Sequence, residues 1–120
     1  MPNVDVTSLP PMVPPATVGS TPVSSGASVT GHVDSVVAAA TGLRYFGFSA
    51  VEDAGGTASF RIQNNVNHGT GVNTVEYVSL APGESCDEWY GPDGLDAAAG
   101  ISVYWVSGSF KLSVRSKVVT

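Results

Sequence analysis

Nothing constrains this chain more than the way its apolar residues fall into strand-length runs from Ser28 onward. Between the runs stand turn signals: Gly42, "DAGG", "NHGTG", "APGE", "GPDG" and "VSGS". A helix needs apolar residues three and four apart over longer stretches, whereas Gly, Asn and Pro at this spacing punctuate strands. The pattern predicts strands over Val29–Val33, Ser35–Ala40, Leu43–Glu52, Thr57–Asn64, Asn73–Leu80, Cys86–Tyr90, Ile101–Ser107 and Ser109–Lys117. Only "DSVVAAATG" could support a helical turn, and its Val36-Val37 pair suits a strand equally. Residues 28–120 are therefore expected to form an all-β, antiparallel β-sandwich, jelly-roll or Ig-like.

Residues 1–27 read differently. "MPNVDVTSLPPMVPPATVGS" has no Lys or Arg and is broken by five prolines. The Pro10-Pro11 and Pro14-Pro15 pairs impose extended backbone and remove N–H donors, which bars the segment from a sheet interior. It is expected to be an extended or disordered arm. As a strap on a neighbouring subunit it would bury Val4, Val6, Leu9, Met12 and Val13.

Charge narrows the partners. Only 12% of residues are charged, about half the usual globular share of roughly 25%. A net charge of −5 with five basic residues argues against nucleic-acid binding, which needs concentrated Lys and Arg. No basic-then-apolar leader is present, and nothing approaches the about 20 apolar residues of a membrane span. The single Cys86 excludes an internal disulfide, so packing or self-association must hold the fold. An intracellular site of synthesis fits this chemistry.

Alternation assigns faces within the strands. In "SFKLSVRSK", Phe110, Leu112 and Val114 point one way, while Lys111, Arg115 and Lys117 form a basic stripe on the other. In "TASFRIQNN", Ala58, Phe60 and Ile62 alternate with Ser59, Arg61 and Gln63. The Ile101–Ser107 run is apolar on both sides, implying cover on both. "YWVSGSFKL" reads as a hairpin that would set Tyr104 and Trp105 beside the basic stripe.

The acid-rich stretch "LAPGESCDEWYGPDGLDAAAG" raises the question of chemistry. Its spacing does not match a calcium loop, because Trp89 and Tyr90 interrupt the ligand positions and Pro92-Asp93-Gly94 is β-turn chemistry. Asp87 and Glu88, adjacent on a strand, point to opposite faces and cannot form a glycosidase pair with each other. Cys86 lacks a histidine nearby in sequence, and acidic neighbours hold it as the unreactive thiol. No catalytic residue, metal ligand or cofactor site is expected. Trp89, Tyr90, Tyr104 and Trp105 are candidates for a sugar-stacking platform or for a subunit interface.

"GLRYFGFSAVEDAGGTASFRIQNN" together with "VEYVSLAPGESCDEWYGPDGLDAAAGISVYWVSGSFKLSV" resembles small virion proteins of tailed bacteriophages. The shared features are a Leu-Arg-aromatic strand, a "LxxGES" turn, a "W-[FY]-G-P-x-G-[LI]" segment and a closing "V-x-G-S". The resemblance spans roughly Leu43 to Val114. It implies a structural protein of the virion, a capsid decoration or cement protein or a tail component. Its partners would be further copies of itself, with a trimer expected, and the major capsid protein or other virion proteins. A host-recognition, glycan-binding module on the head or tail is the alternative. The resemblance brings no catalytic residues with it.

Overall fold

The computed structural model describes residues 18–23, 28–70 and 73–119, and every regular element among them is a strand. The chain runs β1 (Gly19–Pro22), β2 (Val33–Val37), β3 (Leu43–Glu52), β4 (Ala58–Gln63), β5 (Thr74–Leu80), β6 (Ser85–Trp89), β7 (Leu95–Asp96), β8 (Ile101–Ser107) and β9 (Phe110–Val118). Sheet A has the order β1-β9-β3-β6, with β7 also on β3; sheet B has the order β2-β8-β4-β5. All pairings are antiparallel. Apart from β4–β5 and β6–β7, each successive strand lies in the opposite sheet, the winding of a jelly roll.

The sandwich is filled from alternate positions on both sheets. Phe60 stacks on Phe110 at 4.2 Å between ring centres and meets Phe48 edge-on at 6.1 Å. All three are fully buried, each contributing about 1.5–3 kcal/mol through the apolar surface removed from water. Leu43, Ile62, Ile101, Val103, Leu112 and Val114 belong to the same core. The faces assigned to Ala58–Ile62 and Phe110–Val114 are those observed.

β3 and β8 have the expected bounds, and β4, β5, β6 and β9 lie within one or two residues of them. Three features differ. The expected runs Val29–Val33 and Ser35–Ala40 reduce to a single bridge, Val29 with Phe110, and one irregular strand, β2. Ser35 interrupts β2 with a positive φ of 50°. Gly19–Pro22, inside the segment read as the arm, forms edge strand β1 against β9; an edge tolerates its proline.

The third difference is topological. β8 and β9 are not a hairpin: β8 pairs with β2 and β4, and β9 with β1 and β3. "VSGS" is a corner between sheets, fastened by the Trp105 indole N–H donating to the Gly108 carbonyl at 2.8 Å. Tyr104 and Trp105 are thereby kept apart from the basic stripe of β9. The outer side of β8 is covered only in part, since Ser102 is buried but Val106 stays 37% exposed.

Candidate functional site

The acid-rich stretch folds along one edge of sheet A. β6 pairs with Gly47–Val51 and β7 with Arg44–Tyr45, so the two form one edge strand interrupted by residues 90–94. "GPDG" is thus an excursion from a strand, not a turn between two. Arg44 pins it by donating to the carbonyls of Asp93 (3.0 Å) and Gly94 (3.2 Å). The excursion arches over Phe46, which is the extra residue of a bulge in the β3–β9 pairing. A Cβ on Gly94 would sit 2.9 Å from the Phe46 ring, so only glycine fits there. Phe46 is buried outside the main core, stacked at 5.6 Å beneath Trp89.

Three of the five acids in this stretch have a local partner. Glu84 closes its turn, accepting the Ala81 N–H at 2.8 Å. Asp96 accepts the Ala98 N–H at 3.1 Å. Asp87 pairs with Arg115, whose guanidinium holds the carboxyl below its ordinary range. Among the described residues, no group of three or more His, Cys, Asp or Glu side chains is placed to hold a metal. Burial, reinforced by Glu88, Glu76, Glu84 and Asp87, pushes the Cys86 thiol upward in pKa. Leu80 is buried in the core, whereas Trp89 and Leu95 are 51% and 37% exposed.

Arg115 divides the basic stripe. It donates to Ser49 Oγ at 2.8 Å, the Phe48 carbonyl at 3.0 Å, the Glu88 carbonyl and Asp87. The side chain crosses β3 at Gly47, its register partner, to reach β6. Gly47 has φ +130°, and a Cβ on it would overlap the Glu88 carbonyl oxygen. Lys111 and Lys117, on the same strand, make no ion pair among the described residues.

Two carboxylates, Glu52 buried and Glu76 half-buried, escaped the sequence reading. Glu52 accepts the backbone N–H groups of Gly83 (2.7 Å), Ala54 (2.8 Å), Gly55 (3.1 Å) and Gly56 (3.1 Å). It ties the "DAGG" turn to "APGE", and these donors depress its pKa, Gly83 most. Glu76 accepts from the buried Tyr45 phenol at 2.8 Å, yet burial raises its pKa more than the phenols of Tyr90 and Tyr45 lower it. An acid directly before the "DAGG" turn was the available signal for Glu52; nothing in sequence joined Glu76 to Tyr45.

The outer face of sheet B carries an arrangement that spacing did not reveal. Arg61 on β4 is in register with Tyr77 on β5 and Tyr104 on β8. Its guanidinium carbon lies over both rings, 5.1 and 5.4 Å from their centres. Tyr104 tilts against His32 at 4.7 Å, and His32 stacks on His68 at 4.1 Å, the planes 8° apart. Asp34 fixes His68 by accepting its backbone N–H at 2.7 Å and pairing with Nδ1. His32 Nδ1 accepts the Trp105 backbone N–H at 3.1 Å.

The proposed stacking platform of Trp89, Tyr90, Tyr104 and Trp105 is not assembled. Trp89 and Tyr90 belong to the edge of sheet A, Tyr104 to the outer face of sheet B, and Trp105 packs against the core opposite Phe60. Val4, Val6, Leu9, Met12 and Val13 lie outside the described residues. Comparison with family models, characterised proteins and solved structures finds no match to this chain.

Proposed function

We propose that this chain is a structural virion protein, a decoration or cement protein that attaches to the phage head surface as a homo-oligomer. The observation that carries the reading is the edge of sheet A. Trp89, Tyr90 and Leu95 are 51%, 36% and 37% exposed on a strand pinned by Arg44, Arg115 and Phe46. Aromatic surface on a fixed edge is the composition of interface anchors, which lose little side-chain entropy on docking. The opposite edge of the same sheet is β1, directly after the Pro-rich segment. A chain with an attachment at each edge can contact two neighbours, and repeated copies gain avidity from modest contacts. Jelly rolls occur in viral capsid and lectin domains alike, so the fold is compatible with this reading without selecting it.

The test is co-sedimentation with purified capsids lacking the protein, alongside analytical ultracentrifugation of the free chain. The full chain is expected to self-associate and to decorate capsids, and Trp89→Ser to weaken attachment at least about tenfold. Removing residues 1–17 leaves β1 in place and isolates the arm's contribution. A stable monomer indifferent to capsids would overturn the reading.

A further inference from the structure

Sheet B presents an unsatisfied cation in an ordered aromatic setting. Arg61 Nε is buried with no hydrogen-bond partner, and no carboxylate or carbonyl among the described residues accepts from this guanidinium. The faces of Tyr77 and Tyr104 attract its charge but cannot accept its in-plane N–H bonds. Asp34, near the histidine end of the same strip, is already engaged by His68. The chain is acidic overall, yet this strip offers a cation without a counter-ion.

We propose that the outer face of sheet B binds a carboxylate-bearing saccharide, with Arg61 taking the carboxylate and Tyr77 and Tyr104 stacking against sugar rings on either side. Three properties select this ligand. A planar guanidinium recognises carboxylate by paired, charge-assisted hydrogen bonds. Tyr77, 55% exposed, offers a flat apolar face with a polar rim, which suits the mixed C–H and hydroxyl surface of a pyranose. From Tyr77 to His32 the strip crosses β5, β4 and β8 and reaches the β2 side, three strand spacings of about 4.8 Å, which fits a short oligosaccharide better than one ring. A nucleic acid would need several cations where this face has one.

The strip is also built before any ligand arrives. Tyr104 hydroxyl shares a hydrogen bond with Thr70 Oγ1 at 3.2 Å, His32 and His68 are held by Trp105 and Asp34, and Arg61 sits mid-strand. Such preorganisation reduces the ordering cost of binding. The proposal does not depend on capsid attachment, which involves the edge of the other sheet.

The full chain should be titrated by calorimetry with oligogalacturonate, hyaluronan fragments and sialyllactose, each beside its carboxyl-reduced or asialo counterpart. Binding of at least one acidic member is expected, weakening about tenfold or more when its carboxylate is removed. Arg61→Met and Tyr77→Ala should each cost a similar factor, Arg61→Lys should restore only part, and Lys117→Met, which removes a cation from the other sheet, should bind normally. Thermal melts of each variant confirm that the fold survives. Absence of binding to all three acidic saccharides would overturn the proposal. Equal affinity for neutral counterparts, normal binding by Arg61→Met, or equal binding of an acidic peptide would also overturn it.

Discussion

Two arginines occupy matching places in the two sheets, and their surroundings are opposite. Arg115 on β9 and Arg61 on β4 both face outward from mid-strand, beside buried Val114 in the first case and buried Phe60 and Ile62 in the second. Arg115 donates to four acceptors on β3 and β6; Arg61 has none and lies between two tyrosine rings. The cause is what stands across the strand. Next to Arg115 is Gly47, which has no side chain, so the guanidinium reaches the carbonyls beyond it. Next to Arg61 are Tyr77 and Tyr104, which close off lateral reach. Arg115 therefore serves the fold, while Arg61 keeps its hydrogen-bonding capacity for something else.

Replacing Arg115 should break this comparison most visibly. Arg115→Met removes charge-assisted hydrogen bonds and leaves Asp87 without its counter-ion and two strand carbonyls short of a donor. A loss of about 2–4 kcal/mol is expected in urea unfolding. Arg115→Lys should recover only a minor part, because an ammonium cannot fork across Gly47 to Ser49 and Glu88 together. A change below about 0.5 kcal/mol would remove the distinction between the two arginines.

Glu52 extends the saturated pattern to a carboxylate, and acid is its probe. Its donors hold the folded pKa below the ordinary value, so the unfolded chain binds the proton more readily. The stability it contributes is therefore present above about pH 4.3 and is lost as pH falls through the depressed folded value. Asp87 and Asp53 act in the same direction. Glu76, raised by burial, acts oppositely, favouring the folded state less as pH rises past about 4.3. Glu52→Gln should lower Tm at pH 7 by roughly 5–10 °C and flatten the acid limb. Thermal melts from pH 7 to 2.5 check both; an unchanged acid limb would assign acid sensitivity to the other carboxylates.

Legibility in sequence follows the range of the interactions. Alternation in "ASFRIQ" and "FKLSV" depends only on strand period, so faces and the sandwich class could be read directly. Partner strands depend on contacts distant in sequence, and so the "VSGS" corner looked like a hairpin although its strands join different sheets. "GPDG" looked like a closing turn because turn residues also serve a strand excursion over Phe46. The strip from Tyr77 to His68 draws on five separated segments, Tyr77, Arg61, Tyr104, the His32–Asp34 region and His68, and no local motif links them. Gly47 was the one local hint of a bulge, since glycine within a strand pattern marks close backbone approach.

The smallest expected effect bears most directly on the contrast. Arg61→Met loses two cation–π contacts, each about 0.5–1 kcal/mol at a site of this exposure. It also removes a buried N–H that has no acceptor, whose desolvation costs about 1–3 kcal/mol. Methionine can still fill the space between Tyr77 and Tyr104 with its flexible thioether. These terms oppose one another, so the net change in unfolding free energy should stay within about 1 kcal/mol of zero. Urea titration of Arg61→Met beside Arg115→Met measures both in one experiment. A loss at Arg61 as large as that at Arg115 would mean that Arg61, too, serves chiefly to hold the fold, and the contrast between the two arginines would disappear.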